Sequence, residues 1–258
     1  MTTEPPIRIA HLYRYPVKGL SPERVMEASL ETSGYFPGDR LYAIENGPSG
    51  FNEVAPRHLP KMVYLMLMRN EALARLRTRY DGATGELSIT QEDRPTTSYD
   101  LRSSQGRDAL AGFMKAYLPH ELRGEPRVLE APPGYRFTDS RTGFVSLINL
   151  ASVRAVEDFV GTAVDPLRFR GNVFLEGLEP WAELDLVGRI VEAPGGARLK
   201  VTSRTVRCAA TNVDPQTGFR DLQIPRALSE HLGHADCGVY AEVIAGGALR
   251  EGDALMLS

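Results

Sequence analysis

The chain of 258 residues has little cysteine and no long apolar run. Its two cysteines cannot make a disulfide framework, and such sparse cysteine is typical of a reducing compartment. The longest apolar stretch, Met62–Met68, is far shorter than the ~20 residues of a membrane-spanning helix. The first residues also lack the basic start and apolar stretch of a secretory signal. We therefore expect a cytoplasmic protein without a membrane partner.

A surplus of basic charge is missing as well. The formal net charge is −3, whereas nucleic-acid-binding domains usually carry a basic surplus, so we expect no nucleic-acid partner. The sequence contains no G-x-G-x-x-G, Walker or G-x-S-x-G motif, which leaves nucleotide-dependent and serine-hydrolase chemistry without support. The length nevertheless allows a sizeable core in one large domain or two interlocked ones.

Short strand-like segments, punctuated by Gly and Pro, dominate the sequence. In the first half they are Ile7–Leu20, Arg24–Thr32, Arg40–Asn46, Tyr64–Asn70 and Gly85–Gln91. Such closely spaced strands are typical of a barrel or a sandwich. The segment Glu71–Tyr80 fits a helix by propensity but continues an apolar run, so its pattern does not decide between helix and strand.

Two segments have helical periodicity, namely Ser104–Leu118 and Asn149–Gly161, and strand-like character returns after the second. The fold class predicted is therefore mostly β with a few helices (α+β). We expect a β-barrel-like module over residues 1–95 and a larger β-rich domain over residues 96–258, with the two interlocked. Pro- and Gly-containing stretches near Arg94–Leu101 or Ala131–Phe137 are the candidate boundaries.

Cys208 is the first candidate for chemistry. A free cysteine is most often a small buried hydrophobe. Here Arg204 and Arg207 precede it, and nearby positive charge favours a thiolate, which is both a nucleophile and a soft metal ligand. The residues alone leave a core position, a nucleophile and a ligand equally open.

Cys237 leads into a strand-like segment, and the sequence favours core packing for it. His231 and His234 lie nearby, which makes a zinc site conceivable. Structural zinc sites usually need four closely spaced ligands, however, and neither a second cysteine pair nor an H-E-x-x-H motif is present. We therefore expect no zinc site.

Several basic residues are candidates for binding an anion. Lys18 stands next to a glycine in a loop, and Arg40 stands at the entry to a strand, where it could bind a phosphate or pair with Asp39. Arg168 and Arg170 alternate before a strand, and a period of two predicts that they share one face.

Together these segments resemble the MOSC family, named for the C-terminal domain of molybdenum cofactor sulfurase. The resemblance covers nearly the whole chain, and the segments follow the family's order. They are YPVKGL and GDRLYAI in the first half, then SLINLASV, RFRGNVFLEG and RCAATNVDPQTG, and finally the C-terminal GVYAEV and GALREGDAL. The first two resemble the N-terminal β-barrel module of this family. The subfamily most similar to the chain is that of the amidoxime-reducing proteins.

The resemblance implies a molybdenum cofactor, Mo-molybdopterin, with Cys208 as the ligand of the metal. Residues that match cofactor-holding positions, or lie beside them, are Lys18, Gly19, Arg40, Ser152, Arg170, Arg207 and Tyr240. Asp214 lies near the metal ligand in sequence, where it could serve proton transfer, although a D-P turn alone explains it equally well.

Two departures from the family pattern concern the backbone and the electron supply. The family often has F-R-P-N where this chain has F-R-G-N, and Gly171 should loosen the local backbone. The four cysteines of the iron–sulfur domain found in some bacterial relatives are also absent from this sequence. Electrons would then come from a separate redox protein of the ferredoxin or cytochrome type.

The resemblance implies a molybdenum-dependent reductase of N-hydroxylated compounds, such as hydroxylamines, amidoximes or N-hydroxylated bases. The alternative is a module without reductase activity of its own, which either binds the cofactor or carries sulfur as a persulfide on Cys208.

Overall fold

In the computed structural model, which describes residues 6–141 and 144–258, the chain is built mainly of strands. The fifteen strands of this part of the chain are β1 (Arg8–Arg14), β2 (Glu23–Val25), β3 (Glu27–Leu30), β4 (Tyr42–Glu45), β5 (Arg77–Asp81), β6 (Glu86–Thr90), β7 (Thr97–Asp100), β8 (Arg127–Glu130), β9 (Val145–Asn149), β10 (Val173–Glu176), β11 (Ile190–Glu192), β12 (Arg198–Val206), β13 (Asp236–Ala245), β14 (Gly247–Arg250) and β15 (Met256–Leu257). The α-helices are α1 (Ser104–Tyr117), α2 (Leu150–Val160) and α3 (Ile224–Leu232). The predicted class, mostly β with a few helices, is confirmed.

One curved sheet of eight strands joins the two ends of the sequence. Its strand order is β15-β11-β12-β13-β9-β10-β1-β2. β10 pairs with β9 in parallel, whereas β1 pairs antiparallel with β10, with Leu12 opposite Val173. Since β1 and β2 come from the first 25 residues, the N-terminal segment is part of the sheet that the second half of the chain builds.

Smaller sheets complete the architecture. β5, β6 and β7 form an antiparallel meander, β4 pairs with β8, and β3 pairs with β14. The β3–β14 pair is a second direct connection between the first and last parts of the chain.

The core consists of separate clusters of apolar side chains. One cluster fills the inner face of the eight-stranded sheet and includes Leu12, Leu147 and Val239, each fully buried. A second cluster packs α1 against the β5–β7 meander through residues such as Leu110 and Met114.

Both predicted helices are confirmed, with ends set by recognisable caps. The Ser103 side chain accepts a hydrogen bond from Gly106 N at the start of α1, and Asn149 accepts one from Ala151 N at the start of α2. α2 ends at Gly161, whose φ of 73° lies in the left-handed region that favours glycine. The sequence analysis missed α3, although Pro225 stands in its first turn, where proline is favoured.

The predicted strand Tyr64–Asn70 is wrong. Only Tyr64 forms a bridge, to Glu45, and the chain then turns. The Asn70 side chain accepts a hydrogen bond from Met66 N, and Asn70 N donates to Met66 O, so local bonds replace a ladder. The undecided segment after it contains a 3-10 helix, Glu71–Arg75, followed by β5.

Truncation of the sheet core should destabilise the protein. Leu147, in the central strand β9, is fully buried, so Leu147→Ala should lower the free energy of unfolding by about 2–5 kcal/mol. Met256 lies in an edge strand and is 65% exposed, and Met256→Ala should change the free energy of unfolding by less than about 0.5 kcal/mol. Urea denaturation measures both, and equal effects would contradict this description of the core.

Candidate functional site

A cavity of about 430 Å³ lies where the two halves of the chain meet. This size is within the ordinary range for ligand pockets. The sequence-predicted residues that line it are Lys18, Gly19, Arg40, Arg170, Arg207, Cys208 and Tyr240. The structure therefore brings seven of the nine predicted residues to one place, from segments more than two hundred residues apart.

Cys208 follows the end of β12 and precedes a 3-10 helix, Ala209–Asn212. Its carbonyl accepts hydrogen bonds from Thr211 N and from Thr211 Oγ1, both 3.0 Å long, which fix the backbone just after the cysteine. The residue is only partly buried and lines the cavity, so its sulfur can reach a ligand.

The other cysteine has a different environment. Cys237 is fully buried in an apolar cluster with Ile148 and Phe174, and burial raises the pKa of its thiol to about 12. This confirms the predicted core packing of Cys237.

His231 and His234, which were considered as zinc ligands, contact other side chains. The His231 ring stacks on Phe159, with 4.3 Å between the ring centroids, and His234 lies 3.7 Å from Asp236. Within residues 6–141 and 144–258, no three His, Cys, Asp or Glu side chains gather into a group that could hold a metal ion.

Arg40 and Arg170 stack on the same aromatic ring. Their guanidinium carbons lie 4.4 and 4.3 Å from the centroid of the Tyr15 ring, which is fully buried. Both arginines have left-handed backbone conformations, with φ of 47° and 52°, which non-glycine residues rarely adopt. Such strained positions concentrate at ligand sites.

The two guanidinium groups differ in their counter-charges. Arg40 forms an ion pair with the buried carboxylate of Asp39, and although burial lowers the pKa of Arg40, this pair raises it above its usual value. Arg170 donates to Leu20 O at 2.9 Å, and burial lowers the pKa of Arg170 to about 10. Among the described residues Arg170 makes no direct ion pair, although the nearby carboxylates of Asp39 and Asp139 partly offset its charge.

Lys18 is buried at the cavity, where its ammonium group donates to Phe137 O and to the carboxylate of Asp139. Burial lowers the pKa of Lys18. Burial alone would raise the pKa of Asp139, but Lys18, with Lys61 and Arg40, lowers it to about 2.

The sequence analysis missed Lys61 and Asp139. Lys61 Nζ lies 3.8 Å from Asp139 Oδ2. Burial lowers the pKa of Lys61, but the Asp139 carboxylate and the nearby Cys208 side chain raise it more, so its pKa lies above the usual value. Each residue is a single charge near prolines and glycines in the sequence, and no spacing connects it to Cys208.

Arg168 and Arg170 both line the cavity, but not as alternating residues of a strand. They lie in and directly after a 3-10 helix, Pro166–Phe169, and not in a strand. The Arg168 side chain is buried and bonds to the carboxylates of Asp214 and Asp221, at 3.0 and 2.7 Å. Arg168 reaches the cavity wall, but its charge is compensated.

Arg207 and Gly19 also line the cavity. The side chain of Arg207 and the backbone of Gly19 are constrained by their surroundings. Arg207 is buried and donates to Cys237 O at 2.6 Å and to Phe169 O at 2.9 Å. Gly19 has a φ of 86°, and a Cβ there would lie 3.0 Å from Leu65 O. A side chain at position 19 would therefore be strained and would crowd the loop beneath it.

Tyr240 reaches the cavity from the middle of the sheet. Its strand, β13, lies between β12 and β9, and the residue pairs with Ser203 on one side and Ser146 on the other. Burial raises the pKa of Tyr240, so the phenol keeps its proton at neutral pH.

Ser152 and Asp214 are not among the residues that line the cavity. Ser152 is fully buried in α2, donates to the Glu183 carboxylate at 2.6 Å and accepts from Trp181 N. Asp214 Oδ1 accepts bonds from the backbone of Gln216 and Thr217, and its other oxygen bonds to Arg168. Both side chains therefore hold the local fold.

Gly171, which stands where the family often has proline, lies in a tightly packed place. A Cβ at this position would lie 2.3 Å from Ile148 Cγ1, so the strand and the loop approach each other as closely as glycine allows. The glycine is therefore required by packing next to Arg170.

The lining residues give the cavity an excess of positive charge. Its cationic residues are Lys18, Arg40, Lys61, Arg168, Arg170, Arg204 and Arg207, and its acidic residues are Asp39 and Asp139. The whole chain is slightly acidic, so this excess is local. A partly exposed thiol beside buried cations is a donor set that fits a phosphate-bearing ligand with a soft metal.

Among the described residues, no helix is long and apolar enough to cross a membrane.

Comparisons with known proteins agree with these observations. Residues 134–256 match the family described as "MOSC domain", and residues 6–119 match the family described as "MOSC N-terminal beta barrel domain". A curated relative, molybdenum cofactor sulfurase of Caenorhabditis elegans, is 22% identical over 233 residues, which cover 86% of this chain and 31% of the relative. The chain thus spans about a third of the length of that protein.

Solved structures similar to the chain include the YUAD protein from Bacillus subtilis. It is 14% identical with a TM-score of 0.48, and the match covers 100% of this chain and 98% of that one. YiiM from Geobacillus stearothermophilus is 23% identical with a TM-score of 0.36, over 45% of this chain and 54% of that one. The two domain matches confirm the family indicated by the sequence motifs: the chain is a MOSC domain protein with an N-terminal MOSC β-barrel domain.

Proposed function

We propose that the chain binds a molybdenum cofactor in this cavity and reduces N-hydroxylated compounds there. One observation carries the proposal: the Cys208 thiol and the cationic side chains of both halves line the same cavity. The link between MOSC domains and the molybdenum cofactor, and the name of the sulfurase relative, support it.

The thiol would hold the metal. Thiolate sulfur is a soft ligand, which suits a thiophilic transition metal. Cys208 is held at its backbone and lines the cavity together with Lys61.

The buried cations would hold the phosphate of the cofactor. Arg170 is the strongest candidate because, within residues 6–141 and 144–258, it makes no direct ion pair of the kind that Asp39 makes with Arg40. A guanidinium group offers paired N–H donors that match two phosphate oxygens. In an enclosed cavity such a pair is screened less by water and salt than on the surface.

When bound, the cofactor supplies the two-electron reduction by which an N-hydroxyl group and two protons become an N–H group and water. The chain would position the substrate for this reaction. Lys61 carries N–H donors for the hydroxyl oxygen, and Met66, Leu67 and Met68 provide an apolar wall for the rest of the substrate. The electrons would come from a ferredoxin- or cytochrome-type redox protein.

Substitution of Cys208 tests the metal site. In a host that makes the cofactor, Cys208→Ala should fold but should lack both stoichiometric molybdenum and molybdenum-dependent turnover. The matched control is Cys237→Ala, which removes the buried thiol and should keep the metal. Elemental analysis and circular dichroism measure both outcomes, and molybdenum retained by Cys208→Ala would contradict the assignment.

The loaded protein also tests the reaction. With a chemical reductant, it should convert an amidoxime to the amidine, and Cys208→Ala should not. If the protein carries molybdenum but does not convert N-hydroxylated compounds, the reductase part of the proposal fails. A mass increase of about 32 Da on Cys208, the size of one added sulfur as in a persulfide cap, without bound pterin would favour a sulfur carrier instead.

Removal of the Arg170 charge should weaken cofactor binding. Arg170→Gln should lower the pterin content of the purified protein about tenfold, since a lost charge-assisted bond is worth more than about 1.4 kcal/mol. The control Arg154→Gln removes an exposed arginine from α2 and should leave the content unchanged. The fluorescence of oxidised pterin measures both variants, and equal content in the two would exclude Arg170 as an anion ligand.

A further inference from the structure

The segment that follows Cys208 is bound to the N-terminal half by arginines. We call Asp214–Arg220 the DPQTG loop. It belongs to the MOSC domain, but it lies against the 3-10 helix Glu71–Arg75 and the start of β5, which belong to the N-terminal domain. Neither Arg77 nor Arg220 was a candidate on sequence grounds.

Arg77 makes the densest contact with the loop. Its Nη1 donates to Pro215 O at 2.8 Å, and its Nη2 donates to Gln216 O at 2.9 Å and Gln216 Oε1 at 2.8 Å. The neighbouring Arg75 donates to Thr217 O at 2.9 Å. Three consecutive carbonyls of the loop are therefore satisfied by side chains of the other domain.

Arg220 connects the loop to the cavity itself. Its guanidinium group donates to Ala209 O, directly after Cys208, at 3.3 Å. The same group donates to Leu67 O at 3.1 Å and Met68 O at 2.8 Å, and both of these residues line the cavity. It also forms an ion pair with Glu71 at 2.8 Å. The Arg220 side chain thus connects Ala209, the residue after Cys208, to Leu67 and Met68 of the cavity wall.

Hydrogen bonds within the loop connect its two ends. Asp214 Oδ1 accepts from Gln216 N, Thr217 N and Thr217 Oγ1, and Asp214 N donates to Phe219 O at 2.8 Å. Gly218 has a φ of 70°, and a Cβ there would lie 3.0 Å from Glu71 O. The loop is therefore a closed turn that fits tightly against the N-terminal domain.

We propose that Arg77 and Arg220 are positioning residues that set the place of the Cys208 sulfur relative to the cations of the N-terminal domain. Lys18, Arg40 and Lys61 come from that domain, whereas Cys208 comes from the other. A site assembled from two domains needs a contact that fixes one against the other close to the reacting group. The value of this position for catalysis rests on the proposed function, but the position itself does not.

Arginine is required at position 77 because of its shape. Its planar fork reaches two successive carbonyls and a side-chain oxygen at once, while a lysine at the same place has a point charge without a fixed fork. Lysine variants therefore separate geometry from charge.

The test measures the reactivity of Cys208 in protein purified without cofactor. Because Cys237 is fully buried, only Cys208 is alkylated while the protein is folded. The rate is measured with anionic iodoacetate and with neutral iodoacetamide at one pH. Both reagents react with the thiolate, so a change in the thiolate fraction cancels in the ratio of the two rates. The ratio therefore reports the positive potential at the sulfur.

We expect Arg77→Ala and Arg220→Ala to lower this ratio at least about threefold, because a displacement of a few ångströms weakens the field of the buried cations at the sulfur. Arg77→Lys should lower it too, since the charge remains but the fork is lost. The matched control is Arg79→Ala, two residues further along the same exposed face of β5, which should keep the wild-type ratio. A wild-type ratio in Arg77→Lys, or an equal fall in Arg79→Ala and Arg77→Ala, would overturn the proposal.

Labelling of Cys237 shows whether a variant has unfolded. If the alanine variants expose Cys237, they have unfolded. The test then uses Arg77→Lys and Arg220→Lys, in which Cys237 stays buried. In a host that makes the cofactor, the same variants should carry less molybdenum than Arg79→Ala with Cys208 intact. If wild-type protein binds no molybdenum, the proposed function fails, but the alkylation ratios still decide whether the arginines position the thiol.

Discussion

The pairing of β1 with β10 is the constraint on which the site depends. It is a contact between strands about 160 residues apart in sequence, with Leu12 opposite Val173. The turn after β1 brings Lys18 to the cavity, and the turn before β10 brings Arg170. Two cations so far apart in the chain meet because backbone hydrogen bonds fix the register of the two strands. A slip of one strand by one residue would turn its side chains to the other face of the sheet.

Cations gathered in a buried cavity repel each other, so the fold must stabilise them locally. Asp39 neutralises Arg40, Asp139 neutralises Lys18, and the Tyr15 ring lies within cation–π distance of two guanidinium groups. In the part of the chain that the structure describes, Arg170 makes no direct ion pair, and its guanidinium group contacts the Leu20 carbonyl and the Tyr15 ring. The anionic ligand of the proposed function would add a counter-charge to the cations of this cavity.

The sequence predicted the parts of the site that carry a motif. Cys208, Lys18, Arg40 and Arg170 stand in segments with a family pattern, and the structure brings them together. Strand and helix periodicity predicted α1 and α2, whereas a short apolar run after Val63 was read as a strand because it lacks an internal signal for the turn that Asn70 makes. Lys61 and Asp139 were missed since their role arises only from tertiary proximity, at 3.8 Å.

The arginines that contact the DPQTG loop show that a motif can predict an important residue without predicting the contacts around it. The R-C-x-x-T-x-V-D-P-x-T-G pattern predicts that Cys208 matters, and the Asp214 turn explains the D-P pair within it. Its other partners, Arg75 and Arg77, lie about 140 residues earlier in a segment whose helix or strand state the sequence left undecided. The contacts between these arginines and the segment after Cys208 depend on the tertiary fold, so the motif around the cysteine could not predict them.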